Sequence, residues 1–433
     1  MTPAARLAGA IEVLTDILAR RRPAPDALKD WGLARRFAGS KDRAAVASLV
    51  YDALRRKASS AFLMGADSPR AILLGMLCLQ RGLEPEAIAA LCNGERFAPE
   101  PLTDDEAARL AAAGIGDAPA AVAGDFPEWI EPSLTKAFGP ALRDEMQALA
   151  RRAPLDIRVN GLKASRRVVK EALAHLAPEE TPLSPFGLRF AVSEDGRGPA
   201  LQAEPEFLDG WFEIQDEGSQ LASLLAGAEP GLRVVDLCAG AGGKTLALAA
   251  LMDNGGEIIA TDVDARRLAP SHARIARSGA TNITLRTPRG RYDPRRPDPL
   301  ADIAGTVDLV LVDAPCTGSG TWRRNPDAKW RLRPGSLAER QRDQVVVLDR
   351  AATLVKPGGR IVYITCSILP EENDDAVAAF RTRHPNFAGV SPADVAALSG
   401  FAELAPCATA GGLQITPLRT GTDAFYIAVL KRA

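Results

Sequence analysis

Apolar residues recur at three- and four-residue spacing through RLAGAIEVLTDILARR (6–21) and DRAAVASLVYDALRRKAS (42–59). That spacing lines one face of an α-helix, so residues 1 to about 95 are predicted to be all-helical. From about 95 to 128 the chain turns Pro- and Ala-rich, as in FAPEPLTDDEAARL and GDAPAAVAGDFPEW, and reads as connecting structure. Within it, Thr103 and Glu106 have the spacing of a capping box on a short helix. Residues 129–150 are helical again. LDIRVN (155–160) then reads as a strand, followed by an amphipathic helix to about residue 176.

From about residue 205 the period changes. Strands are predicted at LRVVDLC (232–238), GEIIATDV (256–263), NITLRT (282–287), VDLVLVDAP (307–315), RIVYITCS (360–367) and FYIAVLKR (425–432), with helical patterns between most of them. Such alternation predicts an α/β fold built on a doubly wound parallel sheet with helices on both faces. Sheets of that kind bind ligands beyond the carboxyl ends of their strands. The pattern thus separates a helical part with its connector, a short strand-and-helix stretch and an α/β part from about residue 205.

Composition changes this picture little. The chain has 433 residues, 46% hydrophobic and 25% charged, with a formal net charge of −1. No global basic footprint announces nucleic acid, so charge has to be read locally. The start of the chain lacks the order of a signal peptide, and no apolar run reaches the ~18 residues of a membrane span. A cytoplasmic protein with no membrane association is the expectation, and a monomer. None of Cys78, Cys92, Cys238, Cys316, Cys366 and Cys407 are spaced C-x-x-C, and His175, His272 and His384 lie near none of them in sequence. A metal site is therefore not expected.

The first predicted strand of the larger domain runs into DLCAGAGGKT (236–245). A P-loop needs Gly where Cys238 stands, and a dinucleotide fingerprint from Gly240 needs Gly where Thr245 stands. The glycines still let backbone approach a ligand where a strand turns into a helix. Asp262, about twenty residues on, suits ribose hydroxyls. A loop that suits a ribose but lacks a pyrophosphate cradle points to S-adenosylmethionine.

Cys78 and Cys92, in apolar helical settings, read as structural thiols. Cys316 and Cys366 each end a predicted strand at the ligand-binding edge. Cys316 follows Asp313-Ala314-Pro315, and Cys366 sits between Thr365 and Ser367, ahead of Pro370, Glu371 and Glu372. Positive charge would favour a thiolate, from a sulfonium, from Lys244 or from a helix starting near Pro370. Methylation of cytosine at carbon 5 requires a thiol, a methyl donor and an acid together. A thiolate adding at carbon 6 makes carbon 5 nucleophilic. Asp313 is placed to stabilise the charge that builds on the ring, and a second thiol can assist elimination as a base. This chemistry alone leaves open which thiol attacks.

Together these residues resemble the RNA 5-methylcytosine methyltransferases of the Nol1/Nop2/Sun family, and within it the bacterial branch acting on 16S ribosomal RNA. The carrying segments are IQDEGSQ (214–220), DLCAGAGGKT, TDVD, DAPCTGSGTWRRNPDAKW and YITCSILPEEN. The resemblance implies a Rossmann-like S-adenosylmethionine-dependent methyltransferase domain over 206–433, preceded by a small α/β RNA-binding module over 140–205 and an all-helical NusB-like RNA-binding domain with its connector over 1–130. It implies Cys366 as nucleophile and Cys316 as the thiol that assists elimination and product release. It implies that the loop of Cys238, Ala239, Gly240, Ala241, Gly242, Gly243 and Lys244 holds the methionine part of the cofactor. Asp262 would take the ribose, Asp313 would lie between cofactor and base, and Lys244 would line the catalytic pocket. Two positions depart from the family pattern. Arg289 stands where relatives carry an acid suited to the adenine amine, and an arginine has only donors. Ala424 stands where relatives usually have Gly.

The implied partner is RNA, small-subunit ribosomal RNA above all, with the target base splayed out to reach the thiol. Local basic segments available to hold phosphates are 151–170, RTPRGRYDPRR (286–296) and WRRNPDAKWRLR (322–333). In the last, Arg323, Arg324 and Lys329 are the expected RNA contacts, with Trp322 and Trp330 suited to base stacking. Three alternatives compete with this reading. A methyltransferase acting on DNA or a small molecule would leave 5-methylcytosine out of RNA. A non-catalytic RNA-binding factor would be expected to have lost a thiol or the glycine loop. A P-loop nucleotidase would bind ATP.

Overall fold

The structure is a computed structural model, and it describes residues 1–112, 114–193, 196–287 and 298–433. The chain divides into two compact units. One comprises Met1–Arg152, Ser193–Arg197 and Thr321–Leu332, the other Ala153–Val192, Gly198–Gly320 and Arg333–Ala433.

The first unit is helical. Its longest helices are Pro3–Arg20, Ala24–Ala34, Ser40–Arg55 and Pro69–Leu79. Their starts follow from local chemistry. The side chains of Thr2 and Ser68 accept the backbone N–H groups of Ala5 and Ala71, and proline occupies the first helical position after each. The capping box is present: Thr103 and Glu106 exchange side-chain to backbone hydrogen bonds of 3.0 and 3.2 Å at the start of the helix Asp104–Ala112. Leu7, Leu14, Val46, Val50, Leu54, Ile72 and Leu73 build the core, the apolar face that the spacing predicted. The helices expected over 129–150 are present, the last ending at Leu149, and they belong to this unit, whose first segment runs to Arg152.

The second unit holds two sheets. A small one has β1 (Leu155–Val159), β2 (Glu179–Glu180), β3 (Gly187–Phe190) and β4 (Phe212–Ile214) in the order β2-β3-β1-β4. The module expected at 140–205 is thus a sheet of its own but not a compact unit of its own. In the basic run before and within it, Arg166 and Lys170 pair with Glu180 and Arg167 with Glu171, as on a solvated helix face.

The large sheet has β5 (Arg233–Asp236), β6 (Glu257–Ala260), β7 (Ile283–Leu285), β8 (Val307–Asp313), β9 (Val355–Thr365), β10 (Phe387–Gly389), β11 (Leu413–Ile415) and β12 (Phe425–Arg432). Their order is β10-β12-β9-β8-β5-β6-β7, with β11 paired to β12. Strands β5 to β9 run parallel. Val234, Val235, Ile258, Ile259 and the run Leu309–Val312 are fully buried, as strands covered on both faces must be. The sheet is Rossmann-like, with one correction to the all-parallel expectation: β12 runs antiparallel to β9, β10 and β11. The link from β11 to β12 carries only the short helix Pro417–Thr420, and a parallel return needs a crossover of a dozen residues or more.

Strand β5 lies between β6 and β8, so the chain order reverses there. The loops after β5, β6, β8 and β9 gather at the carboxyl edge of this switch point. Ala424, just before β12, is accommodated because Gly320 faces it. The Ala424 N–H donates to the Gly320 carbonyl at 3.0 Å, and a Cβ on Gly320 would lie 2.2 Å from the Ala424 carbonyl oxygen.

Candidate active site

The glycine loop leaves β5 and enters the helix Gly243–Leu251. Gly240 (φ +50°) and Gly242 (φ +82°) supply the left-handed turns that a side chain would oppose. The Gly240 N–H donates to Asp262 at 3.0 Å, and the Arg267 guanidinium lies 3.6 Å from the same carboxylate. From outside the loop, Arg274 donates to the Ala241 carbonyl at 2.7 Å and Arg158 to the Gly243 carbonyl at 2.8 Å. Glu213 of β4 binds Arg274 in turn, at 2.8 Å. Cys238 is buried, and its thiol is pushed well up by burial first and then by the negative charges of Asp236, Asp262 and Asp313. That thiol is inert filling beside the loop, whose contribution comes from backbone.

Asp236, at the end of β5, has 0% exposure. Thr245 Oγ1 donates to its Oδ2 at 2.7 Å, while Oδ1 has no partner among the described residues. Burial raises this carboxyl to about 7, with Asp313 adding to the rise and Thr245 and Lys244 opposing it. The Lys244 ammonium pairs with Asp313 at 2.7 Å and lies 5.1 Å from the Phe425 ring centroid.

The two strand-end thiols are neighbours. Cys316 Sγ and Cys366 Sγ are 3.4 Å apart, both free and both half-buried. The Cys316 thiol is held well above the ordinary range, first by its contact with Cys366, then by burial and by the negative charge of Glu372. The expected helix near Pro370 is a short 3-10 turn, Pro370–Glu372, and the helix proper spans Asp374–Arg383. Among the described residues, no three His, Cys, Asp or Glu side chains gather to hold a metal ion.

The expected RNA contacts are differently placed. Trp322, Arg323 and Lys329 lie at 1%, 4% and 3% exposure inside the helical unit. The Arg323 carbonyl accepts from Arg55 at 2.9 Å, Lys329 donates to the Arg55 carbonyl at 3.3 Å, and Trp330 Nε1 donates to the Leu54 carbonyl at 2.6 Å. Burial lowers the Lys329 ammonium to about 8. Segment 321–332 therefore carries the capping and packing load of a helical core, and side chains buried this way do not reach phosphate. Arg324 is half-buried. The double variant Arg323→Ala, Arg324→Ala is expected to lower the stability of the helical unit by ~1–3 kcal/mol. The salt slope of RNA binding should not change; a shallower slope in a binding titration would return the segment to the RNA surface. In the segment 286–296, Arg286 pairs with Asp302 at 2.6 Å. Arg289 and the rest of its basic run lie outside the described residues.

Sequence reasoning missed three features: the buried Asp236, the arginines that grip the loop from outside, and Glu372. The last was visible only as an acid following Cys366.

The 16S rRNA methyltransferase RsmB/F family model matches residues 223–431. A curated relative, "Probable ribosomal RNA small subunit methyltransferase B" of Synechocystis sp., is 33% identical over 311 residues, covering 71% of this chain and 67% of that protein. Aligned segments span 59% to 67% of the curated relatives' own length. The crystal structure of PH0851 is 24% identical with a TM-score of 0.72, over 100% of this chain and 99% of that one. NSun6 from Pyrococcus horikoshii with SFG is 22% identical with a TM-score of 0.59, over 71% of this chain and 98% of that one. These two likenesses show the fold.

Proposed function

The chain belongs to the 16S rRNA methyltransferase RsmB/F family, and from that premise we propose that it methylates carbon 5 of a cytosine in small-subunit ribosomal RNA through a covalent Cys366 adduct. The single observation that carries this reading is the Cys316–Cys366 pair, 3.4 Å apart at the sheet edge that also holds the Lys244–Asp313 ion pair.

The residues around the glycine loop fit S-adenosylmethionine. Small side chains line the turn, Asp262 suits the ribose, and Asp236 and Asp313 supply negative charge for a cation. When bound, the cofactor supplies the methyl group. Cys238 to Lys244 would cradle its methionine part through backbone. Asp313, held by Lys244, lies toward the base and stabilises charge on the ring as the thiol adds.

Resemblance to the family assigns Cys366 as nucleophile. Contact with Cys366, burial and the charge of Glu372 push the Cys316 thiol up, which suits it to a proton-accepting role after the attack. Cys366 gives up its proton to solvent and bonds through sulfur to carbon 6 as the C5–C6 double bond opens; carbon 5 becomes the nucleophile, takes the methyl group and still carries its own proton. Once Cys366 is a thioether, the largest cause that holds Cys316 up is gone. Cys316 can then release its proton to solvent and take the proton from carbon 5. The electrons of that C–H bond restore the ring double bond as Cys366 leaves.

The helical unit, NusB-like by resemblance, and the small sheet are proposed to contribute RNA contacts. The test is to incubate the protein with small-subunit RNA and labelled S-adenosylmethionine, then digest to nucleosides. Label in 5-methylcytidine is expected. Label in another nucleoside, or only in DNA offered beside the RNA, would sink the reading.

A further inference from the structure

We propose that Glu372 is a positioning residue that sets the spacing of the two thiols, by gripping with one carboxylate the residue that follows each of them. The proposal rests on the covalent reading of the pair given above and assigns the part that holds the pair together.

Glu372 has 0% exposure. Its carboxylate accepts the Thr317 N–H at 2.9 Å and the Thr317 hydroxyl at 2.5 Å. It also accepts the Ser367 hydroxyl, and Gln344 Nε2 at 3.1 Å. Thr317 follows Cys316 and Ser367 follows Cys366. Gln344 donates to the Pro315 carbonyl as well, at 3.0 Å, so the residue before Cys316 is held through the same amide. One carboxylate therefore fixes both flanks of Cys316 and one flank of Cys366.

The acid is itself anchored. The Tyr363 hydroxyl of β9 donates to the Glu372 carbonyl at 2.7 Å. Around it the two loops are stitched directly: Ser319 Oγ lies 3.0 Å from Ser367 Oγ and accepts the Ile368 N–H at 2.9 Å, and the Gly320 N–H donates to the Cys366 carbonyl at 2.9 Å. No cation pairs with Glu372 among the described residues. A buried carboxylate facing four donors and no cation is costly as a stability device alone. Its donors all belong to, or hold, the two thiol-bearing loops, and a displacement of about 1 Å at reacting atoms can cost on the order of a hundredfold in rate.

The test uses the full chain and two readouts. Oxidised glutathione converts neighbouring thiols to a disulfide: the two protein thiols lose two electrons and two protons, and glutathione disulfide is reduced to two glutathione molecules. The rate of Cys316–Cys366 disulfide formation, read by mass on peptides, reports thiol spacing without RNA or cofactor. Methylation kcat and KM report function. Glu372→Gln puts amide donors against the existing donors, and Thr317→Val removes one hydroxyl with little change of shape. Both are expected to slow disulfide formation and kcat by about tenfold or more, with KM for S-adenosylmethionine unchanged; Thr317→Ser, which keeps the hydroxyl, should recover both. If Thr317→Val and a folded Glu372→Gln cross-link at the wild-type rate, Glu372 does not set the spacing and the proposal is overturned. If cross-linking slows while kcat holds, the clamp stands and the covalent reading of the pair fails instead.

Discussion

Cys366→Ser is expected to methylate no RNA and to form no covalent complex with it, whereas Cys316→Ser is expected to accumulate protein joined to RNA on a denaturing gel. The two sulfurs lie 3.4 Å apart, so either could reach the same ring atom, and geometry alone would let either attack. The roles are those that the family resemblance implies, and the Cys316 thiol, pushed up by Cys366, by burial and by Glu372, suits the base of the later step. Removing the nucleophile of a covalent mechanism costs on the order of 10⁴-fold or more in turnover. Removing a general base costs about 10²- to 10⁴-fold, and here that loss falls on the second half of the reaction, after the bond to carbon 6 has formed. A serine at 316 leaves that adduct without a thiol to take the carbon 5 proton, so the complex builds up. Adduct in Cys366→Ser and none in Cys316→Ser would reverse the roles.

Much of this site was legible in the sequence because parallel strands buried on both faces are near-continuous apolar runs. VDLVLVD, RIVYITC and RVVD could be placed by their runs alone, and the loops after them were then bound to meet at one edge. That is why Asp313, Cys316, Cys366 and the glycine loop were found together. Direction was not legible at β12: FYIAVLKR is as apolar as its neighbours, and only the short link from β11 makes it antiparallel. The basic stretch after Cys316 misled for a different reason. Arg323 and Lys329 look like a solvated cluster in the sequence, but both are buried, Trp330 packs against the helical core, and the segment bonds to a helix more than 260 residues away in sequence, as from Arg55 to the Arg323 carbonyl. No local pattern reports a contact of that range. Asp236 and Glu372 were hidden likewise, since a buried acid and a solvated one read alike until their neighbours are known.

Asp236→Asn is expected to remove a pH-dependent penalty and so gain on the wild type as pH rises. Asp236 is fully buried, accepts the Thr245 hydroxyl, and has one oxygen without a partner among the described residues. The groups that act on it are Thr245, Asp313, Lys244 and the Cys238 N–H, and they do not outweigh burial, which lifts the carboxyl from its ordinary 3.8 to about 7. Between those values the folded protein holds a proton that the unfolded chain has already released. Stability from this group is therefore full below the ordinary value, falls as pH rises, and is gone above about 7. From about pH 5 to about pH 8 the wild type should lose ~3 kcal/mol on this account. Asparagine keeps a carbonyl oxygen for Thr245 and carries no charge, so the gap in unfolding free energy should move by that amount in its favour. Urea unfolding of both proteins at the two pH values measures the shift, and a constant gap would show that Asp236 is ionised throughout. An acid that destabilises its own fold at neutral pH needs another reason to be there. A carboxylate at the switch point, beside a loop suited to a cationic methyl donor, supplies one. The same variant is accordingly expected to bind S-adenosylmethionine more weakly while folding more firmly; equal binding in a calorimetric titration would leave the buried charge without that role.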